Sequence, residues 1–343
     1  MKKDAITKLG ELMKAADVKF GELDFAESKK KITSYDLNVA AFGERKVFAP
    51  FSYFGGKRDI APQVWEFFGA RIKNYIEPFA GGMAILLARP NPSLVVEERF
   101  VETVNDKDAL VINAWRAMKH ANPRELAELV ETINSQQHLD SFKKDVYENY
   151  YMLNRLIRSG TERYHPYLAA MWIAGMKNAI GAGFANTADT YSKVSPRIVI
   201  SGWPFGSAER YFKYMKYRLK HVNLMCLNWH ELVGSPTRTT LQGETATFID
   251  PPYPRKERSP CYNEDDGSPS NAAAEWAIET IRKDKANKFR IAFCGYRRLY
   301  KKKFKAEGWT SISWKGKGYG VQGDGRGRVN AAEETVWFSP VSR

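Results

Sequence analysis

The segment TFIDPPYPRKERSPCY (residues 247–262) joins the end of an apolar run to an acid, two prolines and an aromatic ring. The run ATFI (246–249) predicts a buried strand, and Asp250 follows it directly. Pro251 and Pro252 lack an N–H group and have a restricted φ, so the segment is held extended and its carbonyls stay free as acceptors. In open α/β sheets the ligand binds outside the carboxyl ends of the strands. The segment therefore predicts a strand and the edge of the sheet at which a ligand binds.

The side chains of this segment suit a nucleobase. Asp250 and one neighbouring carbonyl provide two acceptors, which match the two N–H bonds of an exocyclic amino group. Tyr253 offers a flat face on which a base can stack. Such an arrangement would hold the base and draw electron density onto its amino nitrogen. An ordinary turn at the end of a strand is the alternative for these four residues taken alone.

Outward from this segment, apolar strands alternate with helical stretches, which predicts an α/β sheet. The strand candidates are 74–77, 101–104, 222–227, 246–249 and 289–293, with a last pair at 309–314 and 334–338. Helical periodicity is present at 59–69, 107–119, 124–135, 142–158, 208–220, 271–283 and 297–306.

The interval 120–221 breaks the alternation, because it is helical, aromatic and basic, with a glycine-rich turn at 178–184 and a candidate hairpin at 190–203. We interpret it as an insertion that reads the substrate, with a structural helical cap as the alternative. The sheet domain would then comprise 46–119 and 222–343. Residues 1–45 are polar and lysine-rich, with a helix candidate at 5–16, and we expect a peripheral N-terminal extension that could be mobile.

The charge distribution favours a polyanionic partner. Lys and Arg number 53 against 39 for Asp and Glu, which gives a formal net charge of +14. Residues 285–328 carry 13 basic and 2 acidic side chains, and residues 141–220 carry 13 and 5. Aromatic residues are interleaved with the charges, as in YFKYMKYRLKHV (211–222) and FCGYRRLYKKKF (293–304), which suits phosphate neutralisation and base stacking. A solvated helix face is the alternative for any single run.

Other classes of protein are disfavoured by composition. No apolar run approaches the roughly 18 residues of a membrane span, and the charged N-terminus has no apolar core of a signal peptide. Cys226, Cys261 and Cys294 are isolated and the five histidines lack metal spacing, so we expect no metal and a reduced, cytoplasmic setting.

A second candidate site element is NYIEPFAGGMAILLARP (74–90), which predicts a strand, a glycine-containing bend and a helix. The glycines allow close approach of the backbone to a ligand. Asp106 follows the next strand, where an acid can accept hydrogen bonds from a ribose diol. A helix N-cap is the alternative for Asp106, a role that Asn105 could share.

Four short motifs occur along the chain in a fixed order: FGGK (54–57), EPFAGG (77–82), DPPY (250–253) and EETVWFSP (333–340). In this order they resemble the Dam-like, D12 class of adenine-N6 DNA methyltransferases, particularly phage-type members, from about Pro50 to Pro340. The resemblance implies a Rossmann-like, S-adenosylmethionine-dependent methyltransferase sheet in which 120–221 is the target recognition domain. It also implies transfer to adenine N6 in double-stranded DNA with base flipping, in a bacterial or phage-infected host cytoplasm, with no oligomer required.

The resemblance assigns roles to individual residues. The cofactor S-adenosylmethionine would be contacted by Tyr53, Lys57, Glu77, Pro78, Phe79, Ala80, Gly81, Gly82, Asp106, Asn228 and Asp250. Direct in-line transfer without a metal would be carried by Asp250, Pro251, Pro252 and Tyr253. Asn228 departs from the aspartate usual at its position, Tyr53 stands where tryptophan is common, and Met83 where a small residue is common.

The basic runs supply the predicted DNA contacts. Within residues 141–220 these are Lys213, Lys216 and Arg218. In the loop after the proline pair they are Arg255, Arg258 and Tyr262, with solvated loop charges as the alternative. The loop 315–330 is rich in Gly and Arg and predicts a further DNA-facing segment, with a plain hairpin connection as the alternative.

Three other functions stay open on the sequence. Cytosine-N4 methylation would use the same acceptor pair, since the cytosine amino group has the same two N–H bonds. A DNA-binding homologue that has lost turnover and an RNA methyltransferase are the other two.

Overall fold

The computed structural model of the protein describes residues 49–51, 53, 55–69, 72–89, 99–132, 135–178, 203, 206–254, 269–314 and 332–341. These residues contain a seven-stranded sheet. In chain order its strands are β1 (Asn74–Glu77), β2 (Val101–Asn105), β3 (Val222–Met225), β4 (Thr245–Ile249), β5 (Phe289–Tyr296), β6 (Thr310–Ser313) and β7 (Glu334–Phe338).

The strands lie in the order β3-β2-β1-β4-β5-β7-β6. The first five in this order are mutually parallel, and β7 runs antiparallel to both of its neighbours. Every residue of β1 and β4 is buried, as expected for central parallel strands that are covered on both faces. The predicted Rossmann-like sheet is confirmed, and each predicted strand is present with its ends shifted by three residues at most.

The helices of the described residues are α1 (Ala61–Phe68), α2 (Ala84–Ala88), α3 (Ala109–His120), α4 (Pro123–Val130), α5 (Gln136–Glu148), α6 (Tyr150–Arg158), α7 (Pro166–Asn178), α8 (Ala208–Arg218), α9 (Trp229–Val233), α10 (Ser270–Lys283) and α11 (Arg297–Ala306). A short 3-10 helix spans Thr240–Gln242.

Several helical predictions differ from the structure. Helix α4 ends at Val130, five residues before the predicted end at 135, and the short helix α9 was not predicted. The single helix expected at 142–158 is two helices, α5 and α6, which meet at Asn149, the C-cap of the first and the N-cap of the second. Helix α5 begins earlier than expected because the Ser135 side chain caps it by accepting a hydrogen bond from the His138 N–H. Helix α7 was not separately predicted, because residues 168–176 are all buried and leave no polar face for a helical period to mark.

The interval between β2 and β3 is helical in its described part, as predicted. Helix α7 packs against α3, α4 and α5, and one apolar cluster contains residues from these helices and from the sheet. The Trp172 ring of α7, for example, lies 4.9 Å from the ring of Phe51 between centroids. The division at 120 and 221 stays a prediction. The expected extension 1–45, the turn 178–184 and the hairpin 190–203 lie outside the described residues, apart from Asn178 and Trp203.

A buried ion cluster joins the helical interval to the sheet. Glu102 of β2 accepts hydrogen bonds from Arg218 at 2.8 and 3.0 Å and from Arg89 at 3.0 Å. Arg218 Nη2 also donates to the carbonyl of Leu86 at 3.0 Å. Burial alone would raise the pKa of Glu102, but the two guanidinium groups outweigh burial and hold it below its ordinary value.

The position of Arg218 corrects the expectation that it contacts DNA. Its side chain is almost fully buried, and its two terminal guanidinium nitrogens are bonded to Glu102 and, from Nη2, also to a backbone carbonyl. The sequence did not indicate that Arg218 is buried, because it lies among exposed basic residues of α8 and its partner, Glu102, lies on β2.

We predict that Glu102→Gln lowers the free energy of unfolding by about 3 to 5 kcal/mol, because it leaves two buried guanidinium groups without a counter-charge. Urea denaturation followed by circular dichroism measures the change. Glu128→Gln is the control, since Glu128 forms an exposed ion pair with Arg124 and its loss should cost less than about 1 kcal/mol. Equal effects of the two substitutions would contradict the role assigned to the cluster.

Candidate active site

The candidate site lies where the strand order reverses. Strands β1 and β4 are adjacent and parallel, while the chain continues from β1 to β2 on one side and from β4 to β5 on the other. Connections that leave in opposite directions open a crevice at the carboxyl ends of the two strands. The EPFAGG turn follows β1 and the DPPY segment follows β4, so the fold brings the two motifs to one crevice.

The EPFAGG turn has a backbone that requires glycine. Gly81 has a φ of +45°, and a Cβ atom there would lie 2.7 Å from Cδ1 of Tyr53. Its N–H donates to Asp106 Oδ2 at 2.9 Å, and its carbonyl accepts from Trp115 Nε1 at 2.9 Å. Met83, which is buried, also has a positive φ of 48°. The turn is thus fixed on several sides, with the Tyr53 ring against it.

Asn105 and Asp106 hold the ends of three strands together. Asn105 Nδ2 donates to the carbonyls of Pro78 and Leu227, at 3.0 and 3.1 Å, and its Oδ1 accepts from the Leu227 N–H at 2.8 Å. Asp106 accepts from Gly81 and also from the Asp108 N–H at 3.0 Å. The N-cap of α3 is Asp108, so the alternative interpretation of Asp106 as that cap is wrong. A ribose contact of Asp106 stays a prediction.

Asn228 lies at the start of α9, after β3. It is the N-cap of that helix, and both its backbone N–H and its amide donate to Glu231. The next residue, Trp229, packs its ring against Phe79 of the glycine turn with 5.9 Å between centroids and 33° between planes. Trp229 was not among the predicted site residues, although it directly follows Asn228, which was. The two rings form an apolar wall beside the turn.

A buried ion pair joins Lys57 to Asp250. The ammonium Nζ lies 2.9 Å from Asp250 Oδ2, donates to the Gly55 carbonyl at 2.6 Å, and lies 3.9 Å from Glu334 Oε2. Lys57 is only 4% exposed and Asp250 is 18% exposed. The lysine of the first motif therefore contacts the acid of the third, which the sequence-based assignment of Lys57 to the cofactor did not anticipate.

Each charge of this pair compensates for the cost of burying the other charge. Burial disfavours the ammonium, but the carboxylates of Asp250 and Glu334 outweigh it and hold the pKa of Lys57 above its ordinary value. Burial raises the pKa of Asp250 to about 6, and the Lys57 charge opposes that rise. Asp250 is consequently ionised at neutral pH but close to the range in which it gains a proton.

Tyr253 is anchored at both its hydroxyl and its ring. The hydroxyl donates to Glu334 Oε2 at 2.7 Å. The ring meets that of Tyr296 edge to face at 4.4 Å between centroids, and it is 9% exposed. Burial and the nearby carboxylates hold the pKa of the phenol well above its usual range, so it stays a donor. Glu334 is a second residue that the sequence analysis missed, although it lies within the quoted EETVWFSP motif.

Glu77 is a buried acid at the end of β1. It accepts a hydrogen bond from the Tyr75 hydroxyl at 2.8 Å. Burial raises the pKa of Glu77 to about 8; the hydrogen bonds from Tyr75 and the Leu86 backbone oppose this, and the charges of Asp250 and Asp106 add to it. Burial also raises the pKa of Asp106, against its backbone hydrogen bonds. Three acids thus share one crevice, whose potential favours a cation.

The predicted DNA contacts lie in different places. Lys213 and Lys216 are exposed on α8, and Lys216 donates to the carbonyls of His120 and Ala121 at 3.1 and 3.0 Å, near the end of α3. The residues Arg255, Arg258 and Tyr262 and the loop 315–330 lie outside the described residues. Over the described ranges, no group of His, Cys, Asp or Glu could hold a metal ion, and no helix is long and apolar enough to cross a membrane.

Comparison with known proteins agrees with this geometry. The model of the family of D12 class N6 adenine-specific DNA methyltransferases matches residues 53–294, which is more than two thirds of the 343-residue chain. The match includes β1 to β4, the glycine turn and the DPPY segment. No curated protein matches the chain. The family predicted from the four motifs is confirmed.

We predict an energetic coupling between Tyr253 and Glu334. Glu334→Ala leaves a buried hydroxyl without its acceptor, which costs about 1 to 3 kcal/mol of unfolding free energy, whereas Tyr253→Phe removes both the hydroxyl and the need for that acceptor. A double-mutant cycle in urea should give a coupling of about 0.5 kcal/mol or more. Glu334→Gln, which keeps an acceptor oxygen, should cost less than Glu334→Ala. Strict additivity of the two single substitutions would contradict the anchoring role.

Proposed function

We propose that this chain, which belongs to the D12 class of N6 adenine-specific DNA methyltransferases, transfers the methyl group of S-adenosylmethionine to the N6 amino group of adenine in duplex DNA. Membership makes it an enzyme that methylates adenine in DNA. The identity of the donor, the flipping of the base and the course of the transfer are the proposal. The observation that carries it is the Lys57–Asp250 pair at the mouth of an acid-lined crevice.

The crevice supports S-adenosylmethionine as the donor. When bound, this cofactor supplies an electrophilic methyl group on a sulfonium, and it also carries an ammonium group. Glu77, Asp106 and Asp250 complement both positive charges, since their mutual repulsion is relieved by a cation. The bend at Gly81 has no side chain that would block the approach of a ligand to the backbone.

We assign the cofactor contacts as the sequence predicted them. The proposed set is Tyr53, Lys57, Glu77, Pro78, Phe79, Ala80, Gly81, Gly82, Asp106, Asn228 and Asp250. The wall formed by Phe79 and Trp229 adds a surface that suits the flat adenine ring of the cofactor.

Asp250 is proposed to accept a hydrogen bond from the amino group of the target base. Lys57 bonds Oδ2, which leaves Oδ1 for the base. A carbonyl of the Pro251–Pro252 segment provides the second acceptor, because neither proline has an N–H group to compete. The two acceptors orient the amino nitrogen and raise its electron density, so rate enhancement comes from positioning and electrostatics. A strong base is not needed, since the amino proton can leave after the methyl group has been accepted.

Tyr253 is proposed to contact the flipped base, with its hydroxyl fixed by Glu334. Because the hydroxyl is engaged, the ring cannot rotate freely about its attachment to the chain. A fixed ring limits the positions that a base can take beside Asp250. The proposed DNA contacts outside the site are Lys213, Lys216, Arg255, Arg258 and Tyr262, without Arg218.

We predict that the purified protein, with labelled S-adenosylmethionine and unmethylated duplex DNA of mixed sequence, produces N6-methyladenine. Nucleoside digestion and mass analysis identify the product. N4-methylcytosine as the sole product, better transfer to RNA, or no transfer at all would each contradict the proposal.

Asp250→Asn should retain less than about a tenth of the activity and bind DNA as before, because it loses the charge that faces the amino group. The double variant Lys57→Met/Asp250→Asn removes the buried charge that Asp250→Asn leaves unpaired. It should give the circular dichroism spectrum of the folded protein and stay inactive, which separates loss of activity from unfolding.

We predict that cofactor binding releases a proton from Glu77. At pH 7 a carboxyl with a pKa of about 8 is mostly protonated, and a neighbouring cation lowers that pKa. Isothermal titration calorimetry at pH 7 in buffers of different ionisation enthalpy should therefore show about one proton released, and fewer at pH 9, where Glu77 is already ionised. Glu77→Gln should abolish the buffer dependence. Identical binding heats in the two buffers for the unsubstituted protein would contradict the assignment.

A further inference from the structure

A basic cleft lies along helix α11, beyond the candidate active site. Its volume is about 770 Å³, and its lining residues are Arg297, Arg298, Lys301, Lys302, Lys305 and Glu333. None of these residues belongs to the cofactor or base contacts proposed above. We call this surface the α11 cleft.

The sequence of α11 explains why its basic side chains are exposed. In RRLYKKKFKA, Tyr300 and Phe304 are four residues apart and are the two side chains that the helix buries. The six basic residues of the helix are all exposed, and the helix contains no acid. Lys303 differs from the others because it reaches Glu275 at 2.9 Å and does not line the cleft.

Within the described part of the chain, few acidic side chains neutralise the positive charges of the cleft. There, none of Arg297, Lys301, Lys302 and Lys305 forms an ion pair with an acidic side chain. The carboxylate of Glu333 accepts a hydrogen bond from the backbone N–H of Arg298 at 2.8 Å, so it caps the helix. Like charges four residues apart and arginines in the first turn both disfavour a helix. An anion bound in the cleft would relieve both effects.

The α11 cleft lies close to the residues proposed to bind the target base. Helix α11 begins directly after β5, and Tyr296, the last residue of β5, packs on Tyr253. Tyr296 is also paired in register with Glu334, which anchors the Tyr253 hydroxyl. The guanidinium of Arg298 lies over the Tyr296 ring at 4.7 Å. The cleft and the proposed base site are therefore separated by one layer of aromatic side chains.

We propose that the α11 cleft binds the phosphodiester backbone of the DNA duplex beside the target base. The inference rests on the proposed function, because it takes the substrate to be duplex DNA. Arg297, Lys301 and Lys305 lie in one row about 12 Å long, since successive members are four residues apart. Along the duplex axis each strand has one phosphate about every 3.4 Å, so a row of that length can reach about three phosphates of one strand. An anionic cofactor is a poorer match, because the donor proposed for this site is cationic.

The test compares two triple variants that each remove three positive charges. The first is Arg297→Gln/Lys301→Gln/Lys305→Gln, on the helix after β5. The matched control is Lys283→Gln/Lys285→Gln/Lys288→Gln, whose exposed lysines precede β5 and so lie at the opposite, amino end of that strand. Fluorescence anisotropy of a labelled mixed-sequence duplex, without cofactor, gives Kd between about 50 and 200 mM KCl.

For the cleft variant we expect the slope of log Kd against log salt concentration to fall by about 2 to 3, with Kd at least about tenfold higher near 100 mM KCl. The control should stay close to the unsubstituted protein. The proposal would be overturned by an unchanged salt slope in the cleft variant or by an equal fall of the slope in the control variant. It would also be overturned if the cleft variant bound RNA more weakly but bound duplex DNA as before. If the triple variant does not fold, two single variants replace it, each changing one exposed side chain. Lys301→Glu must then raise the Kd for duplex DNA more than Lys303→Glu does.

The methyl-transfer assay separates this inference from the proposed function. If the unsubstituted protein transfers no methyl group, the proposed function fails, while the anisotropy measurement still decides whether the cleft binds duplex. If transfer occurs, the cleft variant should show a higher KM for DNA and a kcat near that of the unsubstituted protein. A lowered kcat at an unchanged KM would contradict a role in binding the DNA backbone.

Discussion

The buried contact between Lys57 and Asp250 is the interaction on which the candidate site depends. It joins a segment that precedes the sheet to the carboxyl end of a central strand, and each charge is the main compensation for the other. A buried charge without its partner is costly, so loss of either residue would leave the other charge uncompensated and lower the stability of the fold. The same contact leaves one oxygen of Asp250 directed to other partners. In the proposed function, Asp250 is thus both a member of a structural ion pair and the acid that binds the base.

The topology of the sheet makes this contact useful. Because the strand order reverses between β1 and β4, the segments after these two strands lie side by side at one edge. Asn105 then ties the segment after β1 to the segment after β3. The site is thus assembled from the ends of several strands that are distant in sequence. Each contributes one feature: a glycine bend, an acid, a helix cap or a rigid proline pair.

The sequence predicted the strands and most helices because local apolar periods survive in the fold. It also predicted the crevice, since Asp250 and the glycine turn each follow a strand. It failed where the deciding partner is remote: Arg218 pairs with Glu102 across 116 residues, and Tyr253 bonds Glu334 across 81. A basic residue in a basic run gives no local sign that it is buried. Helix α7 was missed for a related reason, since complete burial removes the polar face that marks a helix.

The distribution of charge separates two kinds of ligand. Inside the crevice, Glu77, Asp106 and Asp250 favour a cation, and Asp250, which is ionised at neutral pH, repels phosphate groups. The chain as a whole carries a net charge of +14, and all six basic residues of α11 are exposed outside the crevice. A polyanion would consequently be attracted to the rim but excluded from the interior, while an uncharged base can pass between the two regions. This arrangement explains why the same chain needs acids at its centre and lysines and arginines around it. In the proposed function, the acids of the crevice would also keep the DNA backbone out of the space assigned to the donor.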